Sequence, residues 1–171
     1  MRGLFIGRFQ PFHEGHRFLI EQISDELSEV IVAIGSAERS HTMENPFTAG
    51  ERLRMVQSVL DPIAETTYTV PVHDIDRNAV WVSHVTTLCP SFDVVYTNNP
   101  FVERLFVEAG IDVRGTPLHQ REVYRGTTIR ERMLCNEEWR SRVPEPVCTV
   151  IDDIDGVERL RMVVEDDTET V

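Results

Sequence analysis

The sequence predicts an α/β protein: an open parallel sheet with helices on both faces, followed by a C-terminal helical segment. Three observations carry that expectation. Short apolar runs of strand type alternate with segments of helical period, and the first two runs, 4–6 and 30–34, each close in a glycine, Gly7 and Gly35, where a buried strand turns into a loop. No Gly/Ser/Pro-rich linker sets the helical C-terminal part aside as a separate domain.

The elements follow in order. Leu4, Phe5 and Ile6 form the first strand, and Phe18, Leu19, Ile23 and Leu27 mark one face of the helix after Gly7. The β-branched run VIVAI (30–34) is of the kind buried in a parallel sheet, which completes a βαβ unit. After a polar loop, Thr48 caps a helix carrying Leu53, Val56 and Leu60, with Glu51 at the capping-box position. Residues 68–72 read as a strand, Val80, Trp81, His84, Val85 and Leu88 as a helix, and DVVY (93–96) as another strand. Residues 101–109 then read as a helix ending at Gly110. From Gly126 onward TTIRERML, EEWRSRV, VCTVIDDI and VERLRMVV all read as helical. The whole is a Rossmann-like arrangement, with 1–160 as one unit and 161–171 as the end of the last helix and an acidic tail.

Composition narrows the function. The 171 residues carry 29 Asp+Glu against 17 basic side chains, a net charge of −12, and 41% are hydrophobic, enough for one compact domain. Such acid excess argues against coating nucleic acid or an anionic membrane. No lysine is present, so phosphate chemistry here must use arginine, histidine and backbone N–H groups. Acid excess with arginine alone suits a very salty cytoplasm; GC-rich coding is the competing explanation. Cys89, Cys135 and Cys148 show no C-x-x-C spacing and read as small buried hydrophobes. The first apolar run is broken at once by Arg8, too short for a signal peptide or a span, so a cytoplasmic location is expected.

In an open parallel sheet, ligands bind beyond the carboxyl ends of the strands, where helix N-termini face anions. Directly after the first strand stands GRFQPFHEGH (7–16), with His13 and His16 three apart on the first helical turn. Gly15 between them removes the side chain that would hold a flat ring off the backbone. Both rings can then donate to polyphosphate oxygens. Gly126, Thr127 and Thr128 open a later helix whose amides and hydroxyls suit further phosphate oxygens, with Arg130 one turn on.

These residues resemble the nucleotidyltransferases with an H-x-G-H signature and, within them, the archaeal-type nicotinamide-nucleotide adenylyltransferases. IGSAERSHTMENPFTAGER (34–52), VHDIDRNAVWVSHV (72–85) and YRGTTIRERM (124–133) are similar to that family's successive blocks, and the resemblance covers about residues 1–160. It implies adenylyl transfer from ATP, with Mg²⁺ on the triphosphate, to nicotinamide mononucleotide, giving NAD and pyrophosphate. His13, His16 and Arg130 are then the catalytic set. Gly7, Arg8, Phe9, Gln10, Gly15, Gly126, Thr127 and Thr128 join them around ATP, and Arg8, Asp74, Asn78 and Trp81 serve the acceptor. The resemblance supplies no protein metal ligand. It places His41 and Arg52 at a phosphate or a subunit interface, and it implies a closed homo-oligomer, a hexamer.

The chain departs from the family pattern at Glu38, where glutamine is usual, at Thr97-Asn98, where Ser-Gly is common near the adenine pocket, and at Arg125, which replaces serine. Three alternatives stay open. One is transfer to another phosphate acceptor, such as flavin mononucleotide, a pantetheine phosphate or, as cytidylyl transfer, an alcohol phosphate. Another is a regulatory module that binds ATP or NAD without turnover. The third, a fragment of an aminoacyl-tRNA synthetase, is disfavoured by the short, lysine-free, acidic chain.

Overall fold

The computed structural model describes residues 1–60, 63, 66–116 and 123–169, with side chains through 166. Five strands, β1 (Arg2–Gly7), β2 (Glu29–Ile34), β3 (Thr67–Pro71), β4 (Val94–Tyr96) and β5 (Asp112–Arg114), form one parallel sheet in the order β3-β2-β1-β4-β5. Among the described residues seven α-helices accompany them: α1 (Glu14–Ser24), α2 (Ala49–Leu60), α3 (Trp81–Leu88), α4 (Pro100–Glu108), α5 (Gly126–Leu134), α6 (Glu145–Asp153) and α7 (Gly156–Glu169).

Strand alternation sorts the core into two layers. Leu4, Ile31, Ala33 and Val95 point to one face and pack against Val85 of α3 and Phe106 of α4. Phe5, Val30, Val32, Val94 and Tyr96 point to the other and meet Ile20 and Ile23 of α1, Met55 and Val56 of α2, and Ile129, Val147 and Leu160 of α5, α6 and α7. The sheet is therefore covered on both sides, as its near-continuous apolar strands require. The chain runs outward from β1 to β3, then crosses to β4 and β5, so strand order reverses beside β1 and a crevice opens at the carboxyl ends there.

The local signals hold at several ends. Thr48 and Glu51 form the expected capping box, with the Thr48 N–H on the Glu51 carboxylate at 2.9 Å and the Glu51 N–H on Thr48 Oγ1 at 3.2 Å. Glu51 also takes Arg159 of α7 at 2.7 and 2.9 Å, which ties the C-terminal helix to α2.

Elsewhere the structure corrects the reading. β5 was not expected, because Asp112-Val113-Arg114 at the sheet edge offers one apolar side chain, whereas the equally short β4 is apolar and buried throughout. EEWRSRV holds only a single 3₁₀ turn at Arg140–Arg142: Asn136 adopts φ 56°, and the Glu138 carboxylate accepts the Ser141 N–H and hydroxyl, offering the backbone a local alternative to a helix. Cys89 and Cys148 are buried, but Cys135 is exposed, since it follows the end of α5 beyond the buried stripe of Ile129 and Met133. The acidic run begins inside α7, which reaches Glu169; residues 170 and 171 lie outside the described part. Among the described residues no helix is long and apolar enough to cross a membrane.

Candidate active site

The loop after β1 is anchored before it offers anything to a ligand. Phe9, at φ 52°, and Phe12 are buried with rings stacked at 5.7 Å. Gln10 is 4% exposed, and its amide bonds the backbone of Phe47 twice, Nε2 donating to the carbonyl and Oε1 accepting the N–H, both at 2.9 Å. Its own carbonyl accepts Arg130 Nη1 at 2.8 Å, which latches α5 to the loop.

His13 is the N-cap of α1 and His16 its third residue. They form a capping box made of histidines: the His16 N–H donates to His13 Nδ1 at 3.3 Å and the His13 N–H to His16 Nδ1 at 3.2 Å. With both Nδ1 atoms accepting, the ring hydrogen of each neutral imidazole sits on Nε2. The rings stack at 3.5 Å between centroids. Burial drives the His13 pKa down to about 3, and burial followed by the neighbouring His13 drives His16 well below the ordinary histidine range. Both are neutral Nε2–H donors at pH 7. Gly15 has a steric reason as well: a Cβ there would lie 3.0 Å from Tyr124 Cβ and 3.2 Å from the His13 ring.

Facing this pair across a cleft of about 650 Å³ are the N-terminal residues of α5, Gly126, Thr127 and Thr128, with Arg130 behind them and Arg8 at the rim. A Cβ on Gly126 would stand 3.0 Å from the Gln10 carbonyl, so the close approach of α5 requires glycine. Arg130 is 7% exposed; burial, then the charge of Arg8, lowers its pKa, yet a guanidinium remains charged. The cleft therefore combines neutral N–H donors, a helix N-terminus and two cations, Arg130 buried on the Gln10 carbonyl and Arg8 exposed at the rim, a set matched to a polyphosphate.

Two further clefts continue from it. One of about 440 Å³ is shared by Arg8, Glu38, Arg39, Glu44 and Asn45. The next, about 300 Å³, is lined by Arg39, Asp74, Asp76, Asn78, Trp81 and Phe101. Arg8 borders the first two and Arg39 the last two, so the three form one track. Trp81 is half-buried, with an edge contact to Phe106 at 5.6 Å, and it borders the third cleft: it serves the core and the cleft together. Asp74 pairs with Arg39 at 3.4 Å, and its N–H donates to Glu38 at 3.0 Å. Partial burial raises the Glu38 carboxyl pKa, but the backbone N–H bonds at Glu38 and Asp74 and the Arg39 guanidinium outweigh it and hold the pKa low.

Not every expected site residue faces a ligand. Gly7 lies under the loop, where its carbonyl accepts the Gly35 N–H and a Cβ would strike the Phe9 ring at 2.8 Å. Phe9 and Gln10 border the first cleft, but their side chains are committed to the core and to Phe47. Arg8 does not reach the third cleft. Arg52 is wholly buried on backbone carbonyls, which removes it from phosphate or interface duty, and His41 is exposed with its ring on Ser40 Oγ. Asn98 has no left-handed backbone; its side chain instead ties the end of β4 to Thr116. Arg39, Tyr124 and Phe101 were missed. Phe101 alone left a signal, an aromatic residue just inside a helix after the Asn99-Pro100 cap, and it is 54% exposed.

A parallel sheet whose first loop and a later helix N-terminus converge on a phosphate-sized cleft defines a nucleotide-binding α/β protein. Residues 4–132 match the model of the cytidylyltransferase-like family, and the chain belongs to that family. It is 53% identical over 167 residues to the nicotinamide-nucleotide adenylyltransferase of Halorubrum lacusprofundi, spanning 98% of this chain and 95% of that one. It is 54% identical to that of Methanothrix thermoacetophila, over 97% of this chain and 98% of the relative. Within its family the chain belongs with the nicotinamide-nucleotide adenylyltransferases. The fold is also similar to a bifunctional NMN adenylyltransferase/ADP ribose pyrophosphatase from Francisella tularensis, complexed with AMP and a manganese ion. That likeness has a TM-score of 0.77 at 22% identity and covers 94% of this chain and 52% of the other.

Proposed function

We propose that this chain transfers the adenylyl group of ATP to nicotinamide mononucleotide, forming NAD and pyrophosphate. The observation that carries the reading is the stacked, neutral His13–His16 pair opposite the N-terminus of α5, at one end of a track whose other end holds Trp81. The acceptor's phosphate oxygen attacks the α-phosphorus in line as the bond from that phosphorus to the α,β-bridging oxygen breaks, and pyrophosphate leaves with the bonding electrons. A phosphate monoester has its second pKa near 6, so at pH 7 the nucleophile is already dianionic and no general base is needed. The chain's task is positioning and charge stabilisation.

His13 and His16 donate Nε2–H to oxygens that gain charge in the transition state, and Arg130 with the amides of Gly126, Thr127 and Thr128 holds the β and γ phosphates. Arg8 serves the phosphates between the two substrates. Trp81 offers a face to the nicotinamide ring, with Asn78 and Asp74 beside it. ATP enters as its Mg²⁺ complex, the ion supplying charge neutralisation on the triphosphate. The Thr127 and Thr128 hydroxyls and the Glu131 carboxylate at the cleft wall are the hard oxygen donors of this chain that suit such an ion. The working form is a homo-oligomer, a hexamer, in a salt-rich cytoplasm.

The test is to incubate pure protein with ATP, Mg²⁺ and, separately, nicotinamide mononucleotide, flavin mononucleotide and pantetheine phosphate, and to identify products by mass. NAD with equimolar pyrophosphate from the first alone is expected. Preference for another acceptor, or binding without pyrophosphate release, overturns the reading. Light scattering in molar KCl tests the assembly, which a monomer mass refutes.

A further inference from the structure

Arg52 of α2 is a buried guanidinium with an unusual set of partners. Its six hydrogen bonds all go to backbone carbonyls: Nε to Thr48 at 3.3 Å, Nη1 to Arg8 at 3.0 Å and Gly35 at 2.9 Å, and Nη2 to Ser36 at 3.1 Å, Arg39 at 3.3 Å and Ala37 at 3.5 Å. All five N–H groups of the fork are thereby used. A charge buried in this way is costly to keep for packing alone, since an apolar side chain fills the same volume without desolvation. The partners also lie on three separate segments: the loop after β1, the turn after β2, which carries Ser36 at φ 48°, and the start of α2.

Two of the held carbonyls belong to Arg8 and Arg39. Those residues border the middle cleft on its donor and acceptor sides. We infer that Arg52 is a positioning residue for the transfer: its planar fork fixes the backbones of Arg8 and Arg39 relative to one another and so sets the approach of the acceptor phosphate to the α-phosphorus. This rests on the adenylyl-transfer reading. The groups on the β and γ phosphates have an anchor of their own, because Arg130 and α5 hang from the Gln10 carbonyl rather than from Arg52. Lysine cannot substitute, having three donors on one atom instead of five in a plane.

The test is Arg52→Lys in the full chain, with active sites counted by ATP-binding stoichiometry. A misplacement of about 1 Å is enough to cost on the order of 10²-fold in rate. The expected result is a loss in kcat of about 30-fold per folded site, with the KM for ATP within about threefold of the unsubstituted enzyme. A lowered melting temperature with kcat per folded site within about threefold marks a merely structural role and overturns the inference, as does an equal loss in ATP affinity and kcat. Where the variant does not fold, the unsubstituted protein answers: the resonance of the Arg52 Nε–H, which donates to the Thr48 carbonyl, is expected to shift with ATP alone and with nicotinamide mononucleotide alone. A shift with only one of them, or with neither, overturns the inference. Failure of the reaction itself is distinct, since it appears as no NAD from the unsubstituted protein while the resonance test remains readable.

Discussion

The two ends of the track are built differently. At the donor end, His13, Gln10 and Arg130 are each less than 10% exposed and bonded to the backbone of His16, Phe47 and Gln10 respectively, so the groups facing the triphosphate are set before any ligand arrives. At the acceptor end Asp74, Asp76, Asn78 and Phe101 are exposed, and Trp81 alone is tied into the core. A preorganised end acts on the transition state, whereas an open end acts through binding, so substitutions at the first should be read in kcat and at the second in KM.

The largest effect is expected at the donor end. His16→Ala should lower kcat by about 10²-fold or more while nucleotide affinity changes far less, as for loss of a donor aimed at developing charge. Steady-state kinetics with ATP binding measured separately decides this, and equal losses would erase the distinction between the ends. The pH profile sharpens it. Because His13 and His16 are already neutral at pH 7, kcat should fall about tenfold per unit only below pH ~6, where the acceptor phosphate takes up its proton. A rate that rises as the pH drops below 7 would mean that protonated histidines are the active form. Stability moves independently: the unfolded chain binds a proton at His13 near pH 6.5, but the folded chain does so only near 3. That contribution is complete above about pH 6.5 and is lost as the pH falls toward 3.

At the acceptor end Trp81→Ala should raise the acceptor KM roughly fivefold and leave that of ATP unchanged, since one stacked ring is worth about 0.5–1.5 kcal/mol beyond its area. An unchanged acceptor KM with a lower melting temperature would return Trp81 wholly to the core. The smallest effect concerns the field common to both ends. Anionic substrates approach a chain of net charge −12. At about 1 M salt the Debye length is near 3 Å, so distant carboxylates are screened while Arg8 and Arg130 at contact lose less. Activity should rise about two- to fivefold from ~0.1 M to above 1 M KCl, together with the melting temperature. Maximal activity and stability at low salt would leave coding bias as the account of the missing lysines.

The alternation of apolar runs with helical periods was readable because burial on both faces of a parallel sheet demands it, and the cap at Thr48-Glu51 was readable because its partners lie within a few residues. His13 and His16 were legible for the same reason, although their reciprocal cap, which sets the tautomer, was not. β5, an edge strand with charged residues on either side of Val113, showed no apolar run, and the turn at Arg140–Arg142 was set by a side chain competing with the backbone.

By itself, then, the order of residues determined the elements other than β5 and the Arg140–Arg142 turn, the contiguous histidine motif and the absence of lysine. Only the tertiary structure decided that Gln10 is a strut, that Arg130 hangs from a carbonyl 120 residues away and that Arg52 gathers three segments. The physical reason is common to all three. Each donor is spent on backbone carbonyls, every residue type carries a carbonyl, and so the acceptor positions leave no mark in the sequence.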